Sequence, residues 1–88
     1  MKSLNEVTFQ ELSEYLYSNN VFGFTASRRK NSIIYAFKRY YIGLGLSLKV
    51  KVMRKTKYVM SVMCKDKVYT DFDELKKLVE SHGNYNTK

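Results

Sequence analysis

Leu46-Ser47-Leu48-Lys49-Val50-Lys51-Val52-Met53-Arg54 alternates with a period of two. Leu46, Leu48, Val50 and Val52 fall on one side, and Ser47, Lys49, Lys51 and Met53 on the other. Successive side chains of a strand point to opposite faces, so the pattern predicts a strand with one buried and one wetted face, as antiparallel sheets have. The rest of the chain has to be arranged around such a half-buried sheet.

Upstream, SIIYAFKRYY (32–41) places Ile33, Tyr35 and Phe37 on one face and Ile34, Ala36 and Lys38 on the other. VFGFTAS (21–27) sets Phe22, Phe24 and Ala26 against Gly23, Thr25 and Ser27. Both read as strands, joined by the polar, basic turn Arg28 to Asn31. Gly43-Leu44-Gly45 reads as a break between elements. Downstream, Arg54 to Lys57 reads as a basic hairpin turn. KYVMSVMCK (57–65) then places Tyr58, Met60, Val62 and Cys64 on one face and Val59, Ser61, Met63 and Lys65 on the other. Both of its faces are partly apolar, so periodicity does not choose the inner one.

Helices flank the strands. Thr8 and Glu11 form a T-x-x-E capping box, and Phe9, Leu12 and Leu16 follow as one apolar stripe on a helix of about 9 to 19, ended by Asn19-Asn20. Thr70 opens a second helix in TDFDELKKLVESHG. Its first turn carries Asp71, Asp73 and Glu74, its stripe is Phe72, Leu75, Leu78 and Val79, and Gly83 is its C-cap.

The chain therefore predicts one small α+β domain over residues 1–88, in the order α-β-β-β-β-α. An antiparallel sheet of three to four strands carries two helices packed on one face; a sheet sandwiched between the helices is the alternative. Residues 84–88 read as a flexible polar tail. The expected core is Phe9, Leu12, Leu16, Phe22, Phe24, Ile33, Tyr35, Phe37, Leu46, Leu48, Val50, Val52, Tyr58, Met60, Val62, Phe72, Leu75, Leu78 and Val79.

Charge carries the functional reading. The net charge is +8, and residues 21–65 contain 11 of the 16 Lys and Arg but no Asp or Glu. A surface that is merely soluble mixes both signs, whereas a one-sign field attracts polyanions and steers their encounter. The open sheet face and the two turns are expected to bind nucleic acid or a nucleoprotein complex. Arg28, Arg29, Lys30, Lys38, Arg39, Lys49, Lys51, Arg54, Lys55 and Lys57 would supply charge, and Tyr40 or Tyr41 stacking on an unpaired base. The alternative is an inhibitor or adaptor, encoded by a phage or mobile element, that uses the same patch on an acidic surface of a host protein. Abundant Lys, Asn, Tyr and Ile fit such an AT-rich coding origin.

Other chemistry is not expected. Cys64 is the only cysteine and His82 the only histidine, and neither has partners at metal-ligand spacing. Gly43-Leu44-Gly45 lacks the third glycine and following helix of a phosphate loop. No acid–base pair or activated nucleophile is legible, so the expectation is a protein that is not an enzyme and carries no cofactor or metal. The absence of a signal-like or membrane-spanning apolar run predicts a soluble, cytoplasmic protein. The layout of helix, strands and helix resembles that of a double-stranded-RNA-binding domain. Asp71, Asp73 and Glu74 stand where that family carries phosphate-binding lysines, so the likeness is confined to layout.

Overall fold

The computed structural model describes residues 2–41 and 44–83. Expectations about Gly43 and the 84–88 tail lie outside them. The elements are a 3-10 turn Leu4–Glu6, helix α1 Phe9–Ser18, strands β1 Phe22–Arg28, β2 Ser32–Tyr41, β3 Leu44–Met53, β4 Val59–Cys64 and β5 Lys67–Tyr69, and helix α2 Phe72–Gly83. The strands form one antiparallel meander in the order β1-β2-β3-β4-β5. The α+β class and the helix-strands-helix order agree with the sequence. The strand count is five, not three to four. No helix among the described residues is long and apolar enough to cross a membrane.

β3 behaves as its alternation predicts, with Leu46, Leu48, Val50 and Val52 buried and Ser47 and Lys49 exposed. It begins at Leu44, and Gly45 pairs with Tyr40, so the ladder takes in part of the expected break. α1 is started by the expected capping box. Thr8 Oγ1 accepts from the Glu11 amide at 3.1 Å, and Glu11 Oε1 accepts from the Thr8 amide at 3.2 Å. α2 is capped one residue later than expected, by Asp71, whose Oδ2 accepts from the Glu74 amide at 3.2 Å.

Both helices cover one face. Phe9 stacks on Tyr35 at 4.1 Å and meets Phe37 edge-on at 6.1 Å, which fixes α1 over β2. Tyr15 of α1 meets Phe72 of α2 edge-on at 5.7 Å and donates to Glu80 at 2.8 Å, which ties the helices together. Leu12, Leu16, Phe37, Leu48, Val50, Val62, Leu75 and Val79 close the core between the layers. Each such side chain contributes about 1.5 to 3 kcal/mol through burial.

Four expected core residues lie outside it: Phe22, Phe24, Tyr58 and Met60 are exposed. On β1 the inner position belongs to Gly23. A Cβ there would come within 2.7 Å of the Phe37 ring, so the neighbouring strand already fills the space below β1. The two phenylalanines flanking Gly23 therefore face outward. On β4 a bulge reverses the alternation. Lys51 pairs with Ser61 but Val52 pairs with Val59, leaving Met60 as the extra residue. Val59 and Val62 are thus both buried, three positions apart.

Leu4, Val7 and Val21 join the core without having been expected there. The segment before α1 lies across the start of β4 and the entry to α2. The Leu4 amide donates to Thr70 O at 2.8 Å, the Phe72 amide to Lys2 O at 2.8 Å, and the Val59 amide to Val7 O at 2.9 Å. β5 pairs with β4 through the two-residue loop Lys65-Asp66, in which Lys65 takes φ 55°.

Candidate nucleic-acid interface

The sheet face away from the helices is built from rows of cross-strand neighbours. One row runs Phe24, Ala36, Lys49, Met63 and Val68 across all five strands. A second runs Phe22, Lys38 and Ser47, and a third Ile34, Lys51 and Ser61. Lys49 and Lys51 are two residues apart on the central strand, about 7 Å along it. Lys49 is exposed, while Lys38 and Lys51 are half-buried among their neighbours. Ala36 is the low point of the face, with Phe24 on one side and Lys49 on the other.

The two basic turns lie side by side at one end of this face, because Ser32 at the start of β2 pairs with Met53 at the end of β3. They are stitched together. The Arg54 amide donates to Asn31 O at 3.0 Å, and Arg54 Nη1 donates to Arg29 O at 3.0 Å. Arg28, Arg29, Lys30, Arg54, Lys55 and Lys57 are all exposed there. Like charges held together repel, most strongly at low salt. At the opposite end a depression of about 590 Å³ is lined by residues that include Lys38, Ser47, Lys49, Met63, Cys64 and Lys65.

The acids are segregated. No strand from β1 to β5 contains Asp or Glu. Glu6 lies in the 3-10 turn, Glu11 and Glu14 in α1, Asp66 in the β4-β5 loop, Asp71 just before α2, and Asp73, Glu74 and Glu80 in α2. The two helices thus hold five of the eight acids, the other three lie in turns and connections, and the strands carry cations alone. Among the described residues no group of three or more His, Cys, Asp or Glu is placed to hold a metal ion.

Arg39 does not belong to this surface, contrary to the sequence reading. It is 3% exposed and lies on the inner face. Its Nε donates to Asn19 O at 2.9 Å, its Nη2 to the same carbonyl, and its Nη1 to Val79 O at 3.0 Å. It satisfies carbonyls near the C-terminal ends of both helices, where a cation also complements the helix dipoles. The period-two count through Ile33, Tyr35 and Phe37 already placed residue 39 on the buried side. Counting charge along the chain hid that signal.

The side chains of Tyr40 and Tyr41, the expected stacking residues, lie outside the described residues. The aromatic groups that the structure does place on the open face are Phe22 and Phe24. Taking the larger residues of β1 as its core side concealed them. The signal that could have found them is Gly23, a small residue between two large ones. No family model, curated protein or solved structure matches this chain.

Proposed function

We propose that this protein is a small, non-enzymatic nucleic-acid-binding module that takes the phosphate backbone on its open sheet face and its paired basic turns. The observation that carries the reading is the separation of charge by layer, with no carboxylate on any strand and six exposed cations at two turns joined through Arg54. Phosphate contacts require cations that reach the backbone without carboxylates nearby to cancel them. Lys38, Lys49 and Lys51 extend the charge from the turns along the face.

The test is a fluorescence-anisotropy titration of the wild type and of the double variant Lys49→Glu, Lys51→Glu against labelled nucleic acid over a range of salt. The wild type is expected to bind with an affinity that falls linearly in log-log salt. The variant is expected to bind more weakly, with the slope flattened by about 0.7 to 0.9 for each lost phosphate contact. Equal affinity and slope for the two proteins would defeat the reading.

A second reading, an inhibitor or adaptor on an acidic protein surface, draws on the exposed Met63 and Val68 in the same row as Lys49. Apolar area beside cations suits a protein interface as well. A pull-down from nuclease-treated lysate separates the two: a partner that survives the nuclease favours this second reading.

A further inference from the structure

Resting on the nucleic-acid reading, we infer that the ligand is single-stranded and that Phe22 and Phe24 are the surfaces on which its unpaired bases stack. Each of these phenylalanines is 58% exposed, although Phe is normally among the most buried residue types. Both occupy open-face positions of β1, across from Lys38 and Ala36 and about 7 Å apart along the strand, with the Phe22 ring leaning over the sheet edge onto Tyr17. Each ring keeps enough open surface to take one base.

Their surroundings suit a nucleotide. Phe22 sits directly across from Lys38. Phe24 is separated from Lys49 only by Ala36, a distance of two strand spacings or about 10 Å. A flexible lysine covers part of that gap, so a phosphate held by Lys38 or Lys49 leaves its base over the phenylalanine edge. The small Ala36 keeps the floor between them low. Tyr17 stacks on the Phe22 ring at 5.7 Å and also meets Phe37 at 6.1 Å, so Phe22 is braced from the edge of the sheet.

Charge selects this occupant over a second copy of the chain. β1 is an edge strand, but it and β2 present Arg28 and Lys38 and no acid, and the turn between them adds Arg29 and Lys30. Pairing two such edges would set like charges together. A single strand of nucleic acid supplies both complements, a negative backbone and flat π faces, and every base has such a face. In a duplex those faces are already stacked on neighbouring bases and cannot reach Phe22 or Phe24.

The experiment compares three probes by fluorescence anisotropy, each over the same range of salt: an unstructured single-stranded RNA of about twelve nucleotides, the DNA of the same sequence, and the DNA duplex. The proteins are the wild type, the double variant Phe22→Leu, Phe24→Leu, and the single variant Phe24→Leu. Leucine keeps apolar volume and removes the π face. The single variant leaves the Tyr17–Phe22 contact intact, and unchanged circular dichroism confirms the fold of each.

The wild type is expected to bind at least one single-stranded probe about tenfold or more tightly than the duplex. Each phenylalanine replaced should cost about tenfold on that probe, with duplex affinity and salt slope unchanged. The RNA and DNA arms show which sugar the site prefers. Equal affinity for single strand and duplex, or full single-strand affinity in the double variant, overturns the inference while leaving the nucleic-acid reading in place. If the phenylalanine variants lose a nuclease-resistant protein partner yet bind every oligonucleotide as the wild type does, the patch is a protein-docking surface and the inference fails. Wild-type protein that binds none of the probes defeats the nucleic-acid reading itself.

Discussion

Lys38 and Arg39 are neighbours in the chain and have opposite fates. One stands on the open face across from Phe22, and the other is buried beneath the sheet with its guanidinium on the ends of two helices. The only difference between the positions is the strand's alternation. On the helix-covered side a cation is confined to a site where carbonyl oxygens receive it. On the other side cations gather without carboxylates among them. Charge counted along the sequence therefore mixes two populations, one that holds the fold together and one that stays on the open face and the turns.

That contrast can be broken most severely at Arg39. Arg39→Met should cost about 3 kcal/mol in urea unfolding, because the carbonyls of Asn19 and Val79 lose charged donors in a buried setting. A loss below about 0.5 kcal/mol would mean that Arg39 is not holding the helix ends. Next is Gly23→Ala, whose new Cβ would press on the Phe37 ring and cost about 1 to 3 kcal/mol. Adding Phe37→Leu should recover part of that loss if the clash is the cause, a non-additivity that a double-mutant cycle measures.

A smaller effect is expected at Tyr15. Burial first, then its hydrogen bond to Glu80 and that carboxylate's charge, raise the phenol above the ordinary tyrosine range, and Arg39 opposes them. A raised folded-state pKa favours the protonated form. The stabilisation is therefore intact below the unfolded value of about 10 and is lost as pH climbs past it. Tyr15→Phe should cost about 1 kcal/mol at neutral pH. Its stability should also fall less steeply than the wild type's in chemical denaturation above about pH 10. The least effect on stability is expected from the open face. Lys49→Glu with Lys51→Glu should change unfolding free energy by no more than about 0.5 kcal/mol, in contrast to its expected effect on binding. A large loss of stability there would blur the distinction between the two sides of the sheet.

Much of this architecture was legible where one physical signal acted alone. β3 shows an uninterrupted alternation, α1 a complete capping box, and α2 a stripe behind acids in its first turn. The misreadings occurred where a neighbour or a backbone irregularity overrode the local pattern. Phe37 occupies the space under Gly23 and turns Phe22 and Phe24 outward. Met60 is an added bulge residue that brings Val59 inward in place of Tyr58. β5 is three residues long and follows a Lys-Asp loop, which lacks the glycine or asparagine that usually marks a tight hairpin. Leu4 and Val7 show no helical or strand period, and only their hydrogen bonds to distant segments explain their burial. For the candidate site, the cationic turns were plain from composition. Their adjacency was not, since it depends on how β2 and β3 pair.

The opening segment that lies across β4 and the entry to α2 bears on the order of assembly. The four hairpins of the meander join residues close in sequence and lose little loop-closure entropy as they form. The contacts of Leu4 with Thr70 and of Lys2 with Phe72 span nearly the whole domain. On a translating ribosome the sheet can begin to pair as it emerges. The segment that precedes α1 waits for the entry to α2 before it acquires a fixed place.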